Sequence, residues 1–328
     1  MSGDQEYYPL PVETLRLDQT TTFSLYMKRG GTENFVLYRG KNLPFNSETL
    51  DSLRRNRVQT LWVPADQWDD YQKYLEENLD DVVDDNSVPE ETKCEIVYGV
   101  SNHLMEKAFE DTQAEDVVKI TEKIVRPMAK VMLRNNFATQ QFMQLAKSDY
   151  RLYSHSVNVC ILGIALARTA LDASHRDLMY KYGPGFLLHD IGKRQLPREI
   201  MERRGALTHE EWEIMRQHPL IGFEMLKDID LPEETRSIIL QHHERPDGSG
   251  YPYGLRGDQI SPAAKICGIA DAFDALNTKR PFKDRHTTFD ALSVIKQEML
   301  RYFDWDLFAD LVRILAQPEI VESMKSNG

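Results

Sequence analysis

The sequence predicts a mainly α-helical protein with a small α+β domain at its N-terminus, and three observations support this fold class. From residue 90 onward, apolar residues recur every three or four positions, which is the spacing of one helix face. Short β-prone runs are confined to residues 21–63. In the C-terminal half, glycine and proline cluster only around residues 182–185 and 245–262, so long helices can form between these clusters.

The N-terminal domain is predicted to combine strands and helices. Residues 21–27 and 34–38 have β-prone composition and flank a Lys-Arg-Gly-Gly turn. A third strand, at residues 60–63, ends at a proline. A short helix is expected to begin at Ser47 as its N-cap, and residues 66–79 show the periodicity of a second helix.

Three regions are predicted along the chain. Residues 1–80 form the α+β regulatory or interaction domain, residues 81–147 form an acidic linker and a helical connector, and residues 148–328 form a C-terminal helical domain. The acidic run at 80–89 repels itself and includes a proline, which is typical of a linker. The connector helices are amphipathic, so they are expected either to mediate a homodimer or to pack on the C-terminal domain. The four tryptophans are expected to anchor the core.

Composition excludes several classes of partner. The 328 residues carry a net charge of −12, which disfavours duplex nucleic acid and anionic membranes because both reward clustered Lys and Arg. No apolar run is long enough to span a membrane, and the N-terminus lacks the pattern of a secretion signal, so we expect a cytoplasmic protein. The three cysteines are widely spaced in apolar surroundings and are predicted to be free, buried thiols.

Histidines and aspartates in the C-terminal half recur at intervals typical of a bundle that places one ligand on each helix. The intervals are 24 to 34 residues (155 to 189, 189 to 218, 218 to 242 and 243 to 271). Adjacent ionisable pairs after apolar runs are costly to bury without a metal or hydrogen bonds, although a lone histidine is usually an ordinary packed or surface residue. The predicted metal ligands are His155, His189, Asp190, His218, His242, His243 and Asp271.

This set of donors indicates transition metals. Imidazole combined with carboxylate favours Fe, Mn, Zn, Ni or Co over Ca or Mg. Seven ligands exceed the usual protein complement of one ion, so two ions are expected. Two such ions can activate a bridging water as hydroxide and polarise a phosphoryl group. Lys193 lies one turn beyond Asp190 and is predicted to offset the charge that develops in the reaction, although a surface lysine is the simpler alternative.

At these residues the sequence resembles the HD-GYP branch of the HD metal-dependent phosphohydrolase superfamily. The motif Leu-His-Asp-Ile-Gly-Lys at 188–193 is similar to the HD signature, and His-His-Glu-Arg-Pro-Asp-Gly-Ser-Gly-Tyr-Pro at 242–252 contains the Gly-Tyr-Pro signature. Asp-Ala-Phe-Asp-Ala-Leu at 271–276 continues the similarity, which covers residues 150–316. The resemblance implies an all-helical HD-type catalytic domain that hydrolyses cyclic di-GMP to linear pGpG or GMP.

The resemblance also assigns the predicted ligands to two ions. His155, His189, Asp190 and Asp271 would hold one ion, and Asp190, His218, His242 and His243 would hold the other. Asp190 would bridge them. Family members that bind a third ion carry a glutamate at the position of Arg151, which cannot ligate, so two ions are expected here.

Substrate contacts are predicted for Gly250 and Tyr251 in the Gly-Tyr-Pro loop and for Arg280 and Lys283, which are suited to a second phosphate. The alternative for the last two is solvated charge at a helix end. Asp274 and Arg245 are expected to support the ligands from behind. The family's usual aspartate and tyrosine are replaced by Lys279 and Phe282, and these changes weaken the assignment of nucleotide preference.

Two other functions remain open at the level of sequence. The chain is alternatively a cyclic-dinucleotide sensor with negligible turnover, because a motif does not set a rate. It is alternatively a hydrolase of another cyclic dinucleotide such as cyclic GMP-AMP, which the altered residues around 279–282 favour. Comparing turnover of the two dinucleotides discriminates among these functions.

Overall fold

The structure is a computed structural model, and it describes residues 5–17, 19–29, 34–110, 112–134, 136–146, 151–170, 177–203, 205–278 and 286–315. The chain divides into two units, residues 1–100 and residues 101–328. The boundaries predicted at residues 80 and 147 stay predictions.

The first unit contains a four-stranded antiparallel sheet. Its strands are β1 (Tyr7–Pro11), β2 (Leu25–Lys28), β3 (Phe35–Arg39) and β4 (Thr60–Pro64), in the order β1-β4-β2-β3. In β4, Leu61 and Val63 are buried while Thr60 and Trp62 are more exposed, the alternation expected when one face of a sheet is packed. The sheet and its helices confirm the predicted α+β character of this part of the chain.

Helices α1 (Ser47–Arg55) and α2 (Trp68–Asp84) complete the N-terminal domain. The predicted N-cap at Ser47 is wrong by one residue. The cap is Asn46, whose side-chain Oδ1 accepts a hydrogen bond of 2.9 Å from the backbone N–H of Thr49. Asn and Ser are comparable caps, and here Asn46 has the extended backbone that a cap requires.

Within the described residues, the second unit contains helices and no strand apart from one isolated β-bridge between Asp247 and Arg256, which confirms the predicted fold class. Helix α3 runs across the division between the two units. The helices in chain order are α3 (Glu90–Phe109), α4 (Ala114–Arg134), α5 (Asn136–Leu145), α6 (Leu152–Ala170), α7 (Leu178–Leu188), α8 (Arg198–Met201), α9 (His209–Met215), α10 (His218–Met225), α11 (Glu233–Gln241), α12 (Pro262–Asn277), α13 (Thr288–Val294) and α14 (Trp305–Leu315).

Helix α6 is the centre of this helical core. Every residue from His155 to Ala167 is buried, so the helix is covered on all sides, as expected of a helix that is apolar around its circumference. Helices α7 and α12 pack against it, and α7 also packs against α11. A polar side chain on α6 is therefore held away from water and requires a partner inside the protein.

Cysteine and tryptophan differ in how well their burial was predicted. Cys94, Cys160 and Cys267 are free and buried, as predicted. The prediction that every tryptophan anchors the core is wrong for Trp212 and Trp305, which are 50% and 57% exposed. Large apolar area favours burial, but single exposed aromatic residues are common on protein surfaces. Among the described residues, no helix is long and apolar enough to cross a membrane.

Candidate metal centre

The predicted ligands lie at helix ends and on two central helices. His155 is on α6 and Asp271 is on α12, whereas His189 and Asp190 directly follow α7. His218 is the first residue of α10, and His242 and His243 directly follow α11. Because these elements pack together in the second unit, side chains that are far apart in sequence meet in one place.

The carboxylate of Asp190 lies between two groups of imidazoles. Its Oδ1 is 3.2 Å from Nε2 of His218, and its Oδ2 is 3.4 Å from Nε2 of His189 and 3.7 Å from Nε2 of His155. Ligand atoms lie within 4.8 Å of one another in two groups, one formed by Asp190, His218, His242 and His243 and the other by His155, His189 and Asp190. Asp190 belongs to both groups, which is the arrangement that a bridging ligand requires.

Asp271 completes the cluster from the side of α12. Its Oδ1 is 3.1 Å from Nε2 of His155, and its Oδ2 is 3.9 Å from Nδ1 of His243. The structure therefore brings all seven predicted ligands together. Their role as metal ligands stays a proposal.

Three of the histidines have their orientation fixed by the backbone. A carbonyl oxygen can only accept a hydrogen bond, so each Nδ1 that contacts one carries a proton, and in the neutral imidazole Nε2 then presents the lone pair. These contacts join Nδ1 of His189 to the carbonyl of Phe186 (2.8 Å), Nδ1 of His218 to that of Met215 (2.7 Å), and Nδ1 of His242 to those of Ile238 and Ile239 (both 3.1 Å).

The lone pairs created in this way lack suitable partners within the described residues. Nε2 of His189 is buried and has no hydrogen-bond partner there. Nε2 of His218 and Nε2 of His242 are 3.2 Å apart, yet neither atom carries a proton to share with the other. Two facing lone pairs repel unless a cation lies between them, so this donor set fits metal binding.

The charge states of the cluster also suit a metal. Burial and the neighbouring imidazoles hold the pKa of His242 and the pKa of His243 well below their ordinary value. Burial opposes ionisation of Asp190, but the ammonium of Lys193 holds its pKa well below the ordinary value. Metal ligation requires neutral imidazole and ionised carboxylate, so these ligands are already in the required protonation states.

Asp274 holds His155 from behind. Its Oδ2 accepts a hydrogen bond of 2.7 Å from Nδ1 of His155, and its Oδ1 accepts bonds of 3.0 Å from Nδ2 of Asn158 and Oγ1 of Thr278. Asn158 and Thr278 were not predicted from the sequence. Asn158 follows His155 by three residues on the same helix, and that spacing indicated that the two side chains lie on the same face.

Replacing Asp274 with asparagine is expected to weaken metal binding by about 10- to 100-fold, the usual effect of losing a group that orients a ligating histidine. The amide has one acceptor oxygen for three donors, so at least one of them loses its bond. Metal titration of the purified protein measures the change, with the exposed Asp258→Asn as the control. Unchanged affinity in Asp274→Asn would show that His155 does not depend on this carboxylate.

Lys193 lies in a short 3₁₀ turn, Ile191–Gln195, directly after the His-Asp pair. Its Nζ is 2.5 Å from Oδ2 of Asp190, and the side chain is largely buried. The ammonium is therefore adjacent to the carboxylate shared by both groups of imidazoles. A cation in this position offsets negative charge at the centre, and its predicted catalytic role stays a proposal.

The Gly-Tyr-Pro loop lies against the cluster because Gly250 has no side chain. A Cβ at this position would be 2.4 Å from the backbone N of Arg245 and from Cα of Glu244. The buried carboxylate of Glu244 holds the loop by accepting hydrogen bonds from the backbone N–H groups of Tyr253 (2.7 Å) and Leu255 (2.9 Å). Glu244 was not predicted from the sequence, although its position directly after the histidine pair indicated that it lies near the cluster.

Two further predicted residues are also near the cluster. The ring of Tyr251 stacks on the imidazole of His243 with 4.6 Å between ring centroids. The guanidinium of Arg245 is largely buried, 5.0 Å from the ring of Phe303, and its Nη1 donates a hydrogen bond of 3.4 Å to the carbonyl of His242. Arg245 therefore contacts the backbone of a predicted ligand.

The predicted phosphate contacts Arg280 and Lys283 lie outside the described residues, as do the altered positions Lys279 and Phe282.

Comparison with known proteins gives concordant results. An HD domain family matches residues 167–307. A cyclic di-GMP phosphodiesterase of Pseudomonas aeruginosa is 34% identical over 222 residues, which cover 67% of this chain and 51% of that protein. A 3′3′-cGAMP-specific phosphodiesterase of Vibrio cholerae is 38% identical over 136 residues, covering 41% of this chain and 26% of that protein. The chain thus spans about half or less of these curated relatives.

A solved structure matches nearly the whole chain. It is an HDG"Y"P protein from Bdellovibrio bacteriovorus, which superimposes with a TM-score of 0.64 at 25% sequence identity. The match covers 94% of this chain and 99% of the Bdellovibrio chain. The similarity therefore extends beyond the segment that contains the histidine and aspartate cluster.

Proposed function

Because the chain belongs to the HD-GYP family of the HD metal-dependent phosphohydrolase superfamily, we propose that it is a phosphodiesterase that hydrolyses a cyclic dinucleotide. The observation that carries this proposal is the position of Asp190, whose two oxygens face different groups of imidazole nitrogens. A single carboxylate shared by two ligand sets is suited to a pair of cations, and cation pairs are widely used to hydrolyse phosphodiesters.

The residues divide naturally between two ions. His155, His189, Asp190 and Asp271 would hold one ion, and Asp190, His218, His242 and His243 the other. Nitrogen and oxygen donors of this kind suit Fe or Mn, and also Zn, Ni or Co. When bound, such ions supply Lewis acidity to phosphoryl oxygens and lower the pKa of bound water toward neutrality.

The side chains of the protein supply orientation and charge for the reaction. Lys193, held at 2.5 Å from Asp190, offsets negative charge that develops on the equatorial oxygens of the phosphoryl group. Tyr251, whose ring stacks on His243, would donate a hydrogen bond from its hydroxyl group to a phosphate oxygen of the substrate. Asp274 keeps the imidazole of His155 in one orientation, so no reorganisation is needed when substrate arrives.

We propose cyclic di-GMP as the principal substrate, with linear pGpG or GMP as the product. The Pseudomonas relative, which matches the largest share of this chain among those compared, is named for that activity. The second candidate substrate is 3′3′-cGAMP, because the Vibrio relative is specific for it. Measuring product from each dinucleotide, with protein purified without added metal and then loaded with Fe or Mn, tests both candidates.

Replacing His242 with alanine is expected to remove one of two bound ions and to lower turnover by at least about 100-fold, because its lone pair is one of the two that face each other. Metal analysis and product formation measure the two effects. The control is His209→Ala, since His209 is exposed on α9. Retained activity with two bound ions in His242→Ala would contradict the ligand assignment.

The same measurements separate the enzyme from a sensor. An enzyme releases linear product at a rate that depends on loaded metal, and the sensor alternative predicts saturable binding of the dinucleotide without product. Binding without turnover in the metal-loaded protein would refute the proposed activity.

A further inference from the structure

Arg216 lies between α9 and α10, two residues before the predicted ligand His218. The helix that precedes it, α9, begins with a capping box. Oγ1 of Thr208 accepts a hydrogen bond of 3.3 Å from the N–H of Glu211, and Oε2 of Glu211 accepts one of 2.8 Å from the N–H of Thr208. The helix that leads to Arg216 is therefore anchored at its beginning.

The side chain of Arg216 reaches the Gly-Tyr-Pro loop. Its guanidinium carbon is 4.9 Å from the centre of the Tyr251 ring, within the range of a cation–π contact. The same ring stacks on His243 and stands edge-on to His218 at 6.4 Å. One tyrosine thus separates this cation from two predicted metal ligands.

Among the described residues, two other cations beside the cluster already have buried partners. Lys193 is 2.5 Å from Asp190, and the guanidinium of Arg245 is largely buried, with its Nη1 directed to backbone carbonyls. Arg216 differs from both because its side chain is 36% exposed and contacts solvent. Its ion pair with Glu213, at 3.2 Å, involves a carboxylate that is itself 53% exposed. Such a surface pair contributes little free energy and is readily exchanged for a better anion.

We propose that Arg216 binds the phosphate of the cyclic dinucleotide that is not being hydrolysed, and this inference rests on the proposed function. A cyclic dinucleotide carries two phosphodiesters. When one occupies the metal centre, the other needs cations near the rim. Arg280 and Lys283, which the sequence predicts for this phosphate, lie outside the described residues, and among the described residues Arg216 is a solvent-exposed cation beside the cluster. Arginine binds phosphate with two parallel hydrogen bonds, and exchange of the Glu213 carboxylate for that phosphate keeps the guanidinium paired. Arg216 is therefore a residue that selects substrates with two phosphates.

The experiment compares a substrate with two phosphodiesters to a substrate with one. In Arg216→Gln, the KM for cyclic di-GMP is expected to rise about 10- to 100-fold, the effect of losing charge-assisted hydrogen bonds, with kcat within about threefold. For bis(4-nitrophenyl) phosphate, which has one phosphodiester, both constants are expected to stay unchanged. Arg216→Lys should give an intermediate KM because lysine keeps the charge and loses the paired geometry.

The matched control is Arg203→Gln. Arg203 also has a side chain that is 36% exposed and is paired with a glutamate of α9, Glu211. Arg203→Gln therefore removes a comparable charge and ion pair from the surface. Both kinetic constants should be unchanged in this variant with either substrate.

Each other result overturns the inference. An unchanged KM for cyclic di-GMP in Arg216→Gln means that Arg216 does not bind the second phosphate. An equal loss of kcat/KM with both substrates means that Arg216 only supports the Gly-Tyr-Pro loop. If the wild-type protein binds cyclic di-GMP without turnover, calorimetry compares the dissociation constants of wild-type protein and Arg216→Gln instead. Wild-type protein that neither binds nor hydrolyses a cyclic dinucleotide refutes the proposed function itself, a result that the Arg216 variants cannot mimic.

Discussion

Replacement of Asp190 with asparagine is expected to remove both bound ions and to lower phosphodiesterase turnover by on the order of 1,000-fold or more. The two oxygens of Asp190 serve different groups of imidazoles, at 3.2 Å from Nε2 of His218 and 3.4 Å from Nε2 of His189. An amide has one acceptor oxygen and no negative charge, so both ions would lose the carboxylate that they share. The effect should therefore exceed that of removing any single histidine.

Metal analysis and product formation from cyclic di-GMP check this prediction. The control is Asp228→Asn, an exposed residue in the turn after α10, which should keep both ions and full turnover. Circular dichroism and thermal unfolding establish that the Asp190 variant is folded. Two ions and substantial turnover in folded Asp190→Asn would mean that this carboxylate is not shared.

Replacement of Gly192 with alanine is expected to destabilise the fold by about 3 kcal/mol or more and to disrupt the ligand group that contains His218. A Cβ at position 192 would be 2.0 Å from the backbone oxygen of His218 and 2.5 Å from the backbone N of Gly222. Both clashing atoms belong to the backbone of α10, so the steric clash can be removed only if the helix itself moves. Overpacking usually costs about 1–3 kcal/mol, and contact with backbone places this site at the upper end or beyond.

Chemical denaturation measures the change in the free energy of unfolding, and metal titration measures the loss of His218 from the centre. Gly99→Ala is the control because Gly99 lies within α3 and an added Cβ there would meet nothing within 4 Å. Alanine favours a helix interior by about 0.5–1 kcal/mol over glycine, so this variant should be as stable as the wild type or more so. If Gly192→Ala unfolds at the same denaturant concentration as the wild type and binds two ions, the close approach of α10 to Gly192 is not essential.

The fold class was predictable because its signals are local. Helical periodicity and β-prone runs depend on neighbouring residues, and both indicated the correct class. Strand β1 was missed because it contains Pro9 and Pro11, and proline is normally a signal against a strand. The strand pairs only with β4 and lies at the edge of the sheet, where proline is tolerated.

The cluster of histidines and aspartates was predictable because ionisable pairs after apolar runs have few explanations other than a polar site. Asp274 was also predicted to lie beside it, but its partner His155 is 119 positions away, so that contact is not visible in neighbouring residues of the sequence. Glu244 was not predicted, because it bonds to backbone N–H groups across a loop and backbone donors leave no trace in the identity of a residue.

The way in which each imidazole is oriented limits what mutation can change. Main-chain carbonyls orient His189, His218 and His242, and no substitution deletes a main-chain carbonyl. His155 is instead oriented by the Asp274 carboxylate, which a single codon change can eliminate. Of these four orientations, that of His155 is therefore the one that a substitution can release.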